Sequence, residues 1–501
     1  MAQKTVRPAK LTKIVATVSD LRCQVETLRQ LWMTGVDVIR LNTAHQTEAD
    51  TLLVVENARA VGRTIPLMLD TKGPEVRTAL LTAEKVIDVK TGDKVFVCPS
   101  EAILNEYKAK GQNAFTTNYA RFTDEVGMNN RVLIDDGLLG MHVVAKDEAR
   151  RVLELVVEND GVIKGRKSVN TPDVKLQLES VTERDKTFLR FAAKHDLEFV
   201  AHSFVRCRKD IEDVRAILSE NGSHAQIIAK IENREGIDNI DEILDVADGI
   251  MVARGDLGIE VPFEEVPMMQ KMLIRKCNER AKPVITATQM LHTMMENPRP
   301  TRAEVSDIAN AILDGTDAIM LSGETASGKY PFESVETMVK IAMRIESERA
   351  KNKELWTRTL CKSINTPRAV LCSAAMSAIQ TLPVKALVCD TLTGRSARII
   401  ATYKAPVPVY AQCHDSRISR MLALSYGVYS RYVPLPNSTD ALIVESLTAL
   451  SEPATVGKDD LIVFVAGTPG NQKGSNIIEI NTVDLILQGH SAHCVKAEER
   501  I

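Results

Sequence analysis

Apolar runs alternate with amphipathic stretches from residue 13 to residue 69, and the same rhythm returns from 181 to 321. Residues 13–18, 36–41 and 65–69 are short and rich in branched side chains, which predicts strands one to three. The stretches 24–33 and 47–60 repeat at helical spacing and predict the helices between them. Thr182-Glu183-Arg184-Asp185 has the form of a helix start and leads into 186–194. Residues 199–204, 225–229, 249–253, 283–287 and 317–321 predict strands four to eight, with helical stretches at 235–246 and 263–281 among the connections. Eight such units in about 250 residues predict an α/β fold, a (β/α)8 TIM barrel.

Two segments break the rhythm. From 79 to 175 the helical period disappears, and 85–89, 94–98, 131–134, 141–144 and 152–157 are short Val/Ile-rich runs. Turn signals such as Thr91-Gly92-Asp93 and Asp135-Asp136-Gly137 separate them. They predict a small all-β domain inserted in a strand-end loop, where it would cover the barrel mouth as a lid. After a helix at 337–348 and a polar linker at 351–366, a new α/β rhythm begins. It has helices at 369–382, 394–403 and 416–424 and strands at 386–389, 408–411 and 461–466. The expected division is barrel 1–78, lid 79–175, barrel 176–349 and a C-terminal α/β domain 350–501.

Composition narrows the functional class. A chain of 501 residues is too long for one core. A net charge of −3 and 4% aromatic residues argue against nucleic-acid binding. No apolar run is long enough to span a membrane, and 1–10 has no apolar signal core. Nine cysteines without a Cys-x-x-Cys pair suit a reducing, cytoplasmic setting. His490, His493 and Cys494 near the end are the one metal-like cluster, and an exposed terminus is the simpler reading.

The chemistry gathers at the predicted strand ends, where barrels carry their active sites. The end of strand two carries Arg40, Asn42 and His45, and Asp70, Thr71, Lys72, Glu75 and Arg77 follow strand three. Lys230 and Glu232 end strand five, and Gly255 and Asp256 end strand six. Thr288 ends strand seven, and Ser322 and Glu324 end strand eight. Two carboxylates and a lysine at one mouth suit a magnesium ion shared with a substrate phosphate. In the C-terminal domain, Thr391, Thr393, Gly394, Arg395 and Ser396 lie between a strand and a helix start, as a phosphate cradle or a plain helix cap.

These stretches resemble the pyruvate kinase family. The matching segments are Arg40-Leu-Asn42, Leu69-Asp-Thr-Lys-Gly-Pro-Glu-Val-Arg-Thr78, Ile228-Ala-Lys-Ile-Glu-Asn233, Met251-Val-Ala-Arg-Gly-Asp-Leu-Gly258, Ala287-Thr-Gln-Met290 and Met320-Leu-Ser-Gly-Glu-Thr-Ala326. The resemblance implies phosphoryl transfer from phosphoenolpyruvate to ADP, giving pyruvate and ATP in the last step of glycolysis. It implies a homotetramer with a regulatory C-terminal domain, and the cradle reading of Thr391–Ser396 predicts a phosphorylated effector there. Glu232 and Asp256 would hold Mg2+ or Mn2+, and Asn42, Asp70 and the Thr71 carbonyl would hold K+. Lys230 would stabilise the phosphoryl group, with Arg40 on phosphate and the Gly255 and Asp256 amides on the substrate carboxylate. Thr288 would stand near the carbon that is protonated, working with Ser322 and Glu324. Arg77, His45 and Asn42 would serve the nucleotide.

The chain departs from the family pattern in two places. Ser19-Asp20 stands where Gly-Pro is usual, and Thr43-Ala44-His45-Gln46 where Phe-Ser-His-Gly is usual. Ala44 cannot supply the hydroxyl that normally helps hold potassium, although Glu75 is the residue of potassium-requiring members. Two other readings remain comparable in kind: a metal-enolate lyase on the same barrel, and a metabolite sensor that has lost catalysis. The lid, Arg77 and the C-terminal domain argue against the first. The intact Lys230, Glu232, Asp256 and Thr288 argue against the second.

Overall fold

The structure is a computed structural model that describes residues 7–79, 86–172, 174–352, 366–451, 456–467 and 475–498. The side chains of His493 and Cys494, and the readings made over 1–6, 80–85 and 353–365, lie outside the described residues.

Eight parallel strands close into a barrel: Lys13–Thr17, Val38–Asn42, Leu67–Asp70, Phe199–His202, Gln226–Ile231, Gly249–Ala253, Val284–Ala287 and Ala318–Leu321. Neighbours pair in chain order, and the last strand closes on the first with Lys13 beside Ala318. The alternation along each strand divides two cores. Val15, Val38, Met68, Phe199, Ile228 and Met251 fill the barrel interior. Ile14, Ile39, Leu69, Val200 and Ile250 face the surrounding helices. Three of those helices begin with a reciprocal cap, at Thr47/Asp50, Thr182/Asp185 and Thr301/Glu304.

The helical stretch expected at 235–246 is two helices, Arg234–Asp238 and Ile240–Val246, which break at Asn239 because its side chain donates to the Arg206 carbonyl (2.9 Å). The one expected at 263–281 is Val266–Glu279, because Pro267 sits in its first turn.

The insertion carries a six-stranded sheet and a two-stranded piece, Ile87–Val89 with Gly161–Ile163. It also contains the helix Glu101–Ala109, which packs Leu104 and Ile103 on Cys98 and Val152. The C-terminal sheet has the order Val428–Tyr432, Val409–Cys413, Ala386–Thr391, Leu461–Ala466, Ile477–Thr482, with only the last pair antiparallel. Its first and last strands are half-exposed edges, which is why neither stands out as an apolar run. His490 is held between Asp440 (2.5 Å) and Glu479 (2.9 Å), so it is tied into this domain.

The C-terminal domain plugs the base of the barrel. Leu424 is fully buried in the interior cluster with Val15, Phe199 and Met320. Around it, Gly427 donates its N–H to the Leu11 carbonyl (2.8 Å), Lys13 donates to the Val428 carbonyl (2.6 Å), and Lys404 pairs with Asp317 (2.6 Å). Leu424→Ala should therefore cost about 2–5 kcal/mol of stability, the range for emptying a buried leucine site. Denaturant unfolding of wild type and variant measures it, and an unchanged midpoint would show that the plug bears no weight.

Candidate active site

The barrel mouth is built around Asp70, which is 1% exposed. Its Oδ2 accepts the Arg40 Nε hydrogen bond at 2.6 Å, and its Oδ1 accepts from Lys230 Nζ at 3.1 Å. Lys230 also donates to Ser203 Oγ (2.6 Å) and lies 3.0 Å from Glu232 Oε1. Arg40 donates onward to Thr17 Oγ1 (2.8 Å). Strands one to five thus each send a polar side chain into one cluster. Glu232 is fixed by the Phe204 N–H (2.7 Å), and Phe204 takes a left-handed φ of 56° to offer it. Gly73, at φ 71°, turns the chain after strand three, where a Cβ would stand 2.8 Å from both Ser203 Cβ and Phe204 Cδ2.

Burial and charge act together on these groups. Burial alone would depress the Lys230 pKa, but Asp70 and Glu232 outweigh it and hold the ammonium well above its ordinary value. Burial opposes charge on Asp70, yet Arg40 and Lys230 bring its pKa below the usual carboxylate range. Glu232 is different: burial, helped by Asp256, pushes it up to about 7 against the pull of Lys230. Asp256 is raised too, first by burial and then by Glu75 and Asp136. Two hydrogen-bonded carboxyls that resist ionising together are hard oxygen donors in want of a cation. Among the described residues no group of three or more His, Cys, Asp or Glu could hold a metal. A pair that leaves most positions to water and phosphate fits magnesium.

The other expected residues divide. Thr288 and Gln289 follow strand seven in left-handed conformations, φ 67° and 55°. Arg254 holds that turn by donating to the Ala287 (3.2 Å) and Thr288 (2.8 Å) carbonyls, and Asp307 anchors Arg254 (2.7 Å). The Gly255 N–H donates to Thr288 Oγ1 (2.8 Å), so this amide is engaged rather than open, in contrast to the expectation for it. Glu324 is buried with both oxygens taken by backbone amides, Leu291 (3.1 Å) and Ser322 (2.8 Å). It braces the loop that presents Ser322.

Asn42 accepts the Ala44 N–H (3.2 Å), and Thr43 Oγ1 donates to the Asp70 carbonyl (2.7 Å). The Thr71 carbonyl accepts Ser203 Oγ (2.6 Å). His45 is exposed on the same loop, and Arg77 pairs with Glu75 (2.8 Å) while donating to the Arg166 carbonyl of the lid (2.8 Å). A cavity of ≈ 220 Å³ lies between lid and mouth, lined by Glu75, Asp136, Asn170, Phe204 and Asp256 among others. In the C-terminal domain Thr391 ends a strand rather than starting a loop, and its Oγ1 accepts the Gly394 N–H (3.0 Å). Ser396 Oγ meets Ser475 Oγ (2.7 Å).

Sequence reasoning missed Ser203 and Thr17. Ser203 falls inside the expected strand 199–204, and only because that strand stops at His202 does it join the strand-end residues at the mouth. Thr17 lies inside a β-branched run and carries no polar signal of its own.

Comparison with known proteins agrees with this layout. Residues 9–335 match the family model described as "Pyruvate kinase, barrel domain", and 369–481 match "Pyruvate kinase, alpha/beta domain". The chain is similar to the pyruvate kinase of Borreliella burgdorferi, with 50% identity over 96% of this chain and 99% of that one. It is 42% identical to that of Geobacillus stearothermophilus (95% and 81%) and 41% to that of Clostridium acetobutylicum (94% and 99%). The closed barrel, the covering lid, the C-terminal sheet and these matches together establish that the chain belongs to the pyruvate kinase family.

Proposed function

We propose that this protein transfers the phosphoryl group of phosphoenolpyruvate to ADP, giving pyruvate and ATP. The observation that carries the reading is Lys230, a buried ammonium held among Asp70, Ser203 and Glu232 at the mouth. Phosphoryl transfer asks the protein for positioning and for charge placed where the transition state is negative. Pyruvate kinases generally use Mg2+ and K+. In this reading Glu232 and Asp256 would hold a magnesium ion, which would supply positive charge to the phosphoryl oxygens.

Arg40 and Lys230 meet the transferring group. A substrate carboxylate takes the Asp256 amide and displaces the Thr288 hydroxyl from the Gly255 amide, which frees Thr288 to face the carbon that gains a proton. Ser322, on the loop braced by Glu324, stands in the same proton path. Arg77, His45 and Asn42 receive the nucleotide, and Arg77 links the mouth to the lid. Asn42, Asp70 and the Thr71 carbonyl would hold the monovalent cation. The same reading divides the chain at about 79, 175 and 350 and assembles it as a tetramer. It also assigns Thr391, Thr393, Gly394, Arg395 and Ser396 to a phosphorylated effector. Support for that comes from Arg398, whose guanidinium carbon is 3.5 Å from where a Gly394 Cβ would stand and whose Nη2 is buried without a partner among the described residues. No described helix is long and apolar enough to cross a membrane.

Lys230→Met should keep the fold and lower turnover by ~10²-fold or more, the scale of losing one transition-state donor. A coupled phosphoenolpyruvate–ADP assay with a thermal melt decides, and near-normal turnover would reject the role. Potassium should raise activity with weak half-saturation because Ala44 lacks a hydroxyl, and Ala44→Ser should tighten that response while leaving magnesium titrations alone. Full activity without any monovalent cation would refute this. Thr393→Glu should abolish activation by sugar phosphates or nucleotides, since it sets a negative charge in the cradle. A wild type that responds to no common phosphorylated metabolite would count against an effector site.

A further inference from the structure

Barrel strand four ends in His202, which the reading above leaves without a task. Its ring is 0% exposed. Phe199 and Ala201 face the barrel interior and Val200 the helices, so His202 lies on the helix side. The charged groups that act on it are Asp185 from the helix before strand four, Asp210 from the helix after it, Lys230 from strand five, and Arg206. Burial is the largest influence on its pKa and pushes it down to about 4.

Its Nδ1 is 3.2 Å from Thr71 Oγ1, and its Nε2 has no hydrogen-bond partner among the described residues. Thr71 Oγ1 already accepts the Ser203 N–H at 3.0 Å. Its own proton therefore needs an acceptor, and His202 Nδ1 stands there, which leaves the ring proton on Nε2. The other end of Thr71, its carbonyl, accepts Ser203 Oγ–H at 2.6 Å. Ser203 Oγ in turn accepts Lys230 Nζ at 2.6 Å. The line runs without a gap from imidazole to hydroxyl to serine to ammonium.

A buried N–H without a partner is costly to leave unsatisfied. An apolar side chain would fill the same place without that cost. What an apolar side chain cannot do is accept the Thr71 proton. We propose that His202 is a positioning residue for phosphoryl transfer: by accepting from Thr71 it fixes the Thr71–Ser203 pair that holds the Lys230 ammonium. The inference rests on Lys230 as the group that meets the phosphoryl.

Full-length His202→Leu, His202→Asn and Lys230→Met are compared for kcat, for KM toward phosphoenolpyruvate, and for thermal midpoint. In His202→Leu, kcat should fall about 10-fold or more, the scale for losing an outer partner that orients a functional group, with KM little changed and the midpoint equal or higher. His202→Asn should recover most of kcat, because its Oδ1 can accept from Thr71. Wild-type kcat in His202→Leu beside an inactive Lys230→Met overturns the role of His202 alone. Equal losses in Leu and Asn with lowered midpoints assign the ring to packing and also overturn it. An active Lys230→Met removes the reading of Lys230, and the inference with it.

Discussion

The pair of hydrogen bonds that Asp70 accepts from Arg40 and Lys230 is the constraint on which the mouth depends. Two cations and three carboxylates (Asp70, Glu232 and Asp256) crowd one partly buried place, and they leave one negative charge in excess. Buried charge is tolerated only where it is balanced and hydrogen-bonded. The imbalance falls on Glu232 and Asp256, whose pKa values rise, and not on Asp70, whose value falls. On the proposed function, this arrangement would let Glu232 and Asp256 take a divalent cation while Arg40 and Lys230 face phosphate. Lys230 needs Asp70 to stay charged and Ser203 to stay aimed.

The same strands carry the constraint to the far end of the barrel. Glu198, just before strand four, accepts the Leu67 N–H that opens strand three (2.7 Å) and pairs with Arg59 (2.9 Å). Arg420 of the C-terminal domain joins this carboxylate (2.5 Å) and also Asp196 (2.9 Å). Strands three and four are therefore tied together at both ends. At the base the tie is Glu198, and at the mouth it is Thr71 and Ser203. Each strand is only four residues long, so there is little backbone between the two ties to absorb a shift.

The barrel and most of its mouth were legible because both follow from periodicity. Eight apolar runs had polar residues at their ends, and Asp70, Lys230, Glu232 and Asp256 converge as strand-end residues should. Less legible were features set by contacts between distant segments. The break at Asn239 depends on the Arg206 carbonyl, and the engagement of the Gly255 amide depends on a left-handed turn at Thr288. The helix Glu101–Ala109 carries only one fully buried side chain, Leu104, so its period is faint. The edge strands Val428–Tyr432 and Ile477–Thr482 mix polar and apolar residues because only part of each is covered. His202 read as one more strand residue, since nothing in its neighbours along the chain points to Thr71.

A ligand in the C-terminal cradle can alter turnover only through contacts that differ between two states of the protein. The contacts available run a short way. Gly394, at φ 77°, leaves room for Leu422, whose Cδ2 is 3.1 Å from where a Cβ would be. Leu422 sits between Arg420, which grips Glu198, and Leu424, which fills the barrel base. Helix Ser416–Met421 and the turn after it thus touch the cradle on one side and the base of strands three and four on the other. Arg420, Leu422 and Leu424 stand within five residues of one another, so a shift of this turn would act on the Arg420–Glu198 pair and the Leu424 packing together. Strand three ends in Asp70 and strand four is followed by Ser203, the two partners that Lys230 holds besides Glu232. On the proposed effector reading, the C-terminal domain would reach the ammonium through these strands.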